Sequence, residues 1–289
     1  MQSNNTNSKY NIVDWKDVLE GQDHTIKGNV KIINDFYIPQ LNRNRRIWVY
    51  LPPDYINSYN RYPVLYMHDG QSVFDIQTNS RHELSVDETL EKLFIEENTR
   101  GVIVVAIDSD FKFRREEYNP VKVSPTSPDP KTDAYAEFIV NILKPFIDCN
   151  FRTKPERNYT GIAGISAGAI CSLYIGLKYQ NVFSKVGAFS LTMLKSIASM
   201  PDSLKQVFCK NNDMKIYMDL GRKERTGLPL EIIDFFSENL EYEIKTFYNF
   251  LLSAGFNENE LMLTIDDTGE HSISSVALRF PNAFLWLFE

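Results

Sequence analysis

Short apolar runs alternating with longer amphipathic stretches constrain this chain more than any other feature. The runs Val64–Met67, Val102–Ile107, Tyr159–Ile165, Val186–Phe189, Ile216–Met218 and Leu261–Ile265 are mostly β-branched or aliphatic, as strands covered on both faces should be. Between them, residues 84–97, 133–148, 167–180, 229–254 and 272–288 carry helical spacing, and Gly255 is placed to end the fourth. Two more strands are expected at 28–37 and 45–51, the second stopped by Pro52-Pro53. Strand and helix in alternation predict an α/β fold, a mostly parallel sheet with helices on both faces. No repeat or linker divides the 289 residues, so one domain is expected over 1–289, with residues 1–15 as a loosely held arm. Sites in such sheets lie at the carboxyl ends of strands. The stretch 109–131, rich in Pro, Ser, Lys and Arg, follows one such end and is a candidate wall of the site, or equally a plain surface loop.

Gly164-Ile165-Ser166-Ala167-Gly168 fits the pattern G-x-S-x-G. The five residues alone arise often by chance; their setting makes them specific. They follow an apolar strand, 159–163, and precede a helical pattern beginning Ala169-Ile170-Cys171. A serine on a tight strand-to-helix turn is exposed, and the helix N-terminus beneath it favours developing negative charge. The alternative is a turn whose glycines serve packing alone.

A serine hydroxyl attacks only when a base removes its proton. Of His24, His68, His82 and His271, only His271 follows the last expected strand, across Asp266-Asp267-Thr268-Gly269-Glu270, and precedes the last helix. That place completes the chain order serine, acid, histidine. The acid is expected after the strand beginning Lys215-Ile216-Tyr217-Met218, where Asp219 and Glu224 compete. Asp219 lies where the sheet would pin it, whereas Glu224 stands beyond Gly221 on a loop able to reach the histidine, so Glu224 is preferred. Its task is to orient the imidazole and stabilise its cation. The oxyanion donors are expected to be the backbone N–H of Ala167 and that of Gln71, in the turn His68-Asp69-Gly70-Gln71, where Gly70 permits an unusual backbone. His68 then reads as a turn residue. A metal held by His68, Asp69 and Asp75 lacks a ligand pattern, and no cofactor is implied.

A net charge of −7 and a pI near 5.3 argue against a nucleic-acid partner. The densest basic run, residues 42–46, reads as a turn before a strand. Three cysteines without C-x-x-C suit a reducing compartment. The polar N-terminus and the want of a 20-residue apolar stretch speak against a signal peptide and a membrane span. A cytoplasmic protein is the default expectation, although a secreted chain after processing reads the same.

Together these residues resemble the putative-esterase family of α/β-hydrolases, which includes enterochelin esterases, feruloyl esterase domains and mycolyltransferase-like proteins. The resemblance runs from about residue 28 to the end. It is carried by residues 66–71 (YMHDGQ), 115–120 (REEYNP), 143–148 (LKPFID), 163–168 (AGISAG), 218–224 (MDLGRKE) and 284–288 (FLWLF). It implies a metal-independent hydrolase of carboxylic esters with Ser166, Glu224 and His271 at the triad positions, Gln71 and Ala167 as oxyanion donors, and sugar, phenolic or siderophore esters as small-molecule substrates. Two departures, Ser190-Leu191-Thr192-Met193-Leu194 and Ser272-Ile273-Ser274-Ser275-Val276, replace residues that border the pocket in relatives, so substrate preference does not carry over. An acyltransferase would use the same residues, and a non-catalytic carbohydrate- or partner-binding protein on the same fold is the reading from another class.

Overall fold

The computed structural model describes residues 10–79, 82–122, 127–192, 200–226 and 238–289. Among the described residues, nine strands form one sheet: β1 Val13–Asp14, β2 Asn29–Ile38, β3 Arg43–Leu51, β4 Val64–His68, β5 Ile103–Ile107, β6 Thr160–Ile165, β7 Lys185–Phe189, β8 Lys215–Lys223 and β9 Leu261–Glu270. Their order is β1-β2-β3-β5-β4-β6-β7-β8-β9. The pairings from β1 to β5 along that order are antiparallel, and those from β5 to β9 are parallel. The chain has the expected α/β fold.

Strand periodicity assigns the two faces. Val64, Tyr66, Ile103, Val105 and Ile107 enter one buried cluster, whereas Leu65, Met67, Val104 and Ala106 enter the other. Helices α1 Val86–Glu96 and α8 Ile273–Phe288 cover the second face, through Leu90, Leu93, Val276, Phe280, Phe284 and Leu287. The first face is covered by α3 Thr132–Phe138, α4 Lys144–Asn150, α5 Ala167–Lys178, α6 Asp202–Val207 and α7 Leu240–Ser253. Between α3 and α4 the helix widens into a π turn over Ile139–Leu143, just before Pro145, whose missing N–H cannot continue an α-helical ladder. Helix α7 ends as expected at Gly255, with φ 106° and the Phe256 N–H bonded back to Leu251.

Several boundaries differ from expectation. Only Asn42 of the basic run lies in the turn: strand β3 already begins at Arg43, and Arg43 and Arg45 both donate to Glu117 of α2 Arg114–Tyr118. A buried carboxylate with two guanidiniums ties 115–120 to the sheet, which gives this part of 109–131 a fixed place. Residues 266–270 are not a loop but the end of β9, paired with β8 as far as Lys223↔Glu270. Of the expected arm, residues 10–15 pack on the fold: Tyr10 stacks on Phe36 and Val13–Asp14 pairs with β2. Residues 1–9, 193–199 and 227–237 lie outside the described residues, and with them the start of the expected helix at 229. Among the described residues no helix is long and apolar enough to cross a membrane.

Candidate active site

Strand β6 delivers Ser166 to the carboxyl edge of the sheet, and α5 leaves immediately after it. Ser166 has φ 59° and ψ −116°, a conformation costing on the order of 1–3 kcal/mol in a non-glycine residue. The turn is held by the Ser166 N–H donating to Phe189 O at the end of β7, 2.9 Å. It can close only with glycine at 164, because a Cβ there would lie 2.5 Å from Gly168 O and 2.9 Å from the His68 ring. The N–H of Ala167, first in the helix, finds no acceptor among the described residues, as expected of a first-turn amide.

The next strand in the sheet, β4, ends in His68 and turns at Asp69, which is left-handed with φ 57° and ψ 50°. The unusual backbone therefore belongs to Asp69, not to Gly70. Gly70 is needed for a different reason: a Cβ there would press 2.9 Å from the backbone of Ile107 and Asp108. Arg114 grips the Asp69 carboxylate with two parallel bonds, Nε to Oδ1 2.7 Å and Nη2 to Oδ2 2.8 Å. Burial works against that carboxylate's charge, but Arg114 outweighs it and holds the group below the usual aspartate range. Gln71 follows. Its side chain is clamped to Ser109 after β5, accepting from the Ser109 N–H at 2.9 Å and donating to its hydroxyl at 2.8 Å. Its own backbone N–H meets no acceptor among the described residues. His68 is buried beneath this turn, with Nδ1 3.1 Å from the Tyr135 hydroxyl. Asp75 pairs with His24 at 2.7 Å rather than with His68, so the three residues weighed as a metal set are not assembled.

Strands β8 and β9 carry the remaining two residues out together. Their last paired residues are Lys223 and Glu270, so the next residue of each, Glu224 and His271, leaves the sheet side by side. His271 Nδ1 lies 2.7 Å from Glu224 Oε2. The carboxylate's other oxygen accepts the Gly221 N–H and the Ser190 hydroxyl, both at 2.8 Å. Burial alone would raise the Glu224 pKa; His271, the Gly221 amide and Ser190 bring it below the usual glutamate value. Asp219 is engaged elsewhere, accepting from Arg279 Nε at 2.9 Å and from the Ser190 N–H at 2.7 Å. The histidine is thus paired with Glu224 and not with Asp219. Ser166 and His271 share the same edge of the sheet, but the Ser166 hydroxyl makes no hydrogen bond among the described residues.

Sequence reasoning missed Arg279, Ser109, Arg114 and the role of Ser190. Nothing local in the sequence marks Arg279 or Arg114, because their carboxylate partners are 60 and 45 residues away. Ser190 was visible only as a departure from the family pattern.

The arrangement supplies a half-buried serine on a strained turn, an oriented imidazole and two amides with no acceptor among the described residues, which is equipment for acyl transfer. The sequence matches the family described as Putative esterase over residues 38–251. It is 27% identical to the uncharacterized protein YbbA of Bacillus subtilis (strain 168), over 85% of this chain and 93% of that one. It is 30% identical to the uncharacterized protein YjcH of the same organism, over 71% and 79%. With the esterase Rv1288 of Mycobacterium tuberculosis it shares 28% identity over 68% of this chain and 38% of that one. Among solved structures, a ferulic acid esterase of Anaeromyces mucronatus superposes with a TM-score of 0.64 at 18% identity, covering 93% of each chain. The enterobactin esterase FES of Shigella flexneri gives 0.63 at 16%, covering 89% of this chain and 59% of that one. An IroE-like serine hydrolase from Shewanella oneidensis gives 0.64 at 19%, over 89% and 80%. At such identities the structural likeness is one of fold. The profile match over most of the length carries the assignment: the chain belongs to the putative esterase family, hydrolases of carboxylic esters.

Proposed function

We propose that this esterase works through an acyl-enzyme on Ser166, with His271 as base and Glu224 as the acid that orients it. Ser166 Oγ attacks the ester carbonyl while His271 Nε2 takes its proton. The N–H groups of Gln71 and Ala167 hold the resulting oxyanion. Collapse of that intermediate expels the alcohol, which takes the proton from His271, and leaves the acyl group on Ser166. Water, deprotonated by the same nitrogen, then releases the carboxylic acid and restores the serine. The observation supporting this most strongly is the 2.7 Å contact of His271 Nδ1 with Glu224. It fixes the orientation of the ring, and Nε2 is the nitrogen this reading assigns to the serine. Catalytic hydrogen bonds of unliganded enzymes are often long and tighten with substrate, which accommodates the unbonded Ser166 hydroxyl.

The substrates on this reading are esters of acylated carbohydrates, phenolic acids or siderophores, supported by the ferulic acid and enterobactin esterases that share the fold. Ser166→Ala is the direct test. Turnover of a p-nitrophenyl acyl ester falls by several orders of magnitude with the melting temperature retained. Equal turnover by the two proteins would remove Ser166 from the mechanism.

A further inference from the structure

We infer that Ser190 and Arg279 are positioning residues for Glu224, forming a hydroxyl relay that selects which carboxylate oxygen faces His271. This rests on the proposed triad and goes beyond it. Arg279 Nη2 donates to Ser190 Oγ at 2.9 Å, and the Ser190 hydroxyl donates its single proton to Glu224 Oε1 at 2.8 Å. With the Gly221 N–H also on Oε1, that oxygen is saturated, and Oε2 is the one presented to the imidazole. Arg279 is itself immobilised. Asp219 grips it with two bonds, Nε to Oδ2 2.9 Å and Nη2 to Oδ1 3.2 Å, and Ser275 accepts from Nη1 at 3.0 Å.

The guanidinium stops short of direct contact: Nη2 is 3.9 Å from Glu224 Oε1. A bidentate Arg279–Glu224 pair would neutralise the very charge that must stabilise an imidazolium. Routed through a hydroxyl and balanced by Asp219, the cation fixes the carboxylate without discharging it. Ser190 occupies a costly conformation to do this, with φ 45° and its own N–H on Asp219 Oδ1. Its neighbour Phe189 accepts the Ser166 N–H, so one dipeptide braces both the serine turn and the acid. Among the described residues, the charged and titratable groups around Glu224 are His271 after β9, Arg279 of α8, Asp219 and Tyr217 on β8, and Asp266 on β9, which accepts from Arg279 at 3.4 Å.

The test compares the full chain with Ser190→Ala and Arg279→Lys, measuring kcat and KM against pH on a p-nitrophenyl ester and the rate of fluorophosphonate labelling at Ser166. With Ser190→Ala, kcat falls about tenfold to hundredfold, the equivalent of one hydrogen bond to a charged group, while KM stays within about twofold. With one donor gone, more charge faces His271, so the acid limb of the profile moves to higher pH. Arg279→Lys, which keeps the charge but loses the fork, moves both readouts the same way and serves if Ser190→Ala does not fold. Wild-type kcat and an unmoved acid limb in a folded variant would overturn the relay and leave the triad standing. A wild-type chain that neither labels at Ser166 nor turns over esters would overturn both.

Discussion

Acid should destabilise this protein through His68, a residue outside the reacting groups. His68 is 3% exposed, and burial, helped by the nearby Arg114 charge and opposed by Asp69, pushes its pKa down to about 4 from 6.5. Geometry gives the same answer. An imidazolium needs two acceptors; the Tyr135 hydroxyl can serve Nδ1, but Nε2 has no partner among the described residues. Between pH 6.5 and about 4 the unfolded chain therefore carries a proton on this ring that the folded one refuses. Stability is lost as pH falls through that window. At ~1.4 kcal/mol per pH decade, the loss reaches about 3 kcal/mol by pH 4, a large part of the stability of an ordinary domain. Denaturant unfolding of wild type and His68→Gln at intervals from pH 7 to pH 4 isolates the effect, because glutamine does not titrate and the other carboxylates cancel in the difference. The variant starts less stable but loses about 3 kcal/mol less on acidification. Parallel pH dependences, or a His68 ring titrating near 6.5 by NMR, would refute the reasoning.

Two further outcomes follow from the same geometry. His24 is the opposite case: Nδ1 meets Asp75 and Nε2 meets Glu20 O, so although burial opposes its charge, Asp75 raises its pKa above 6.5. Its contribution is complete below pH 6.5 and disappears as pH rises through the raised value. Wild type should lose its stability advantage over His24→Asn on going from pH 6 to pH 9, and a constant difference in unfolding midpoints would contradict this. Gln71→Ala keeps the backbone N–H but frees it from the Ser109 clamp. Its kcat should fall about tenfold to hundredfold, less than the loss of a donor outright, and an unchanged kcat would remove the clamp from the mechanism.

The fold was legible because its signals are local. Runs such as Val102–Ile107 and the strand–serine–helix turn at 164–168 declare themselves within a few residues, and a sheet follows from their alternation. What was misplaced depended on pairing. Residues 266–270, with two aspartates, a threonine and a glycine, have the composition of a loop, yet they extend β9 because β8 continues beside them to Lys223. Asn42–Arg46 reads as a turn until Glu117, more than 70 residues later in the chain, supplies the charge that lets arginines sit in a strand. The same holds at the site. Glu224 was favoured over Asp219 for its reach, but what brings it to His271 is the register of two strands, and what occupies Asp219 is an arginine on the last helix. A single sequence lists the charges and cannot show which will meet.

Where the backbone is strained is informative in itself. Among the described residues, seven non-glycine residues have positive φ. Asp35, at the bulge in β2, and Asn42 and Asn98 are residue types that tolerate it, and Ser85 caps α1. The other three are Asp69, Ser166 and Ser190, and each comes directly after the end of a strand: β4, β6 and β7, which are consecutive in the sheet. Each also has a dedicated restraint, the Arg114 fork for Asp69, Phe189 O for Ser166 and Asp219 for Ser190. At roughly 1–3 kcal/mol apiece, such strain persists only where surrounding contacts over-determine the backbone. Three such positions in a row along one edge, each separately restrained, point to selection for atom positions and not for packing. The core, whose strands simply alternate between two apolar faces, demands nothing of the kind.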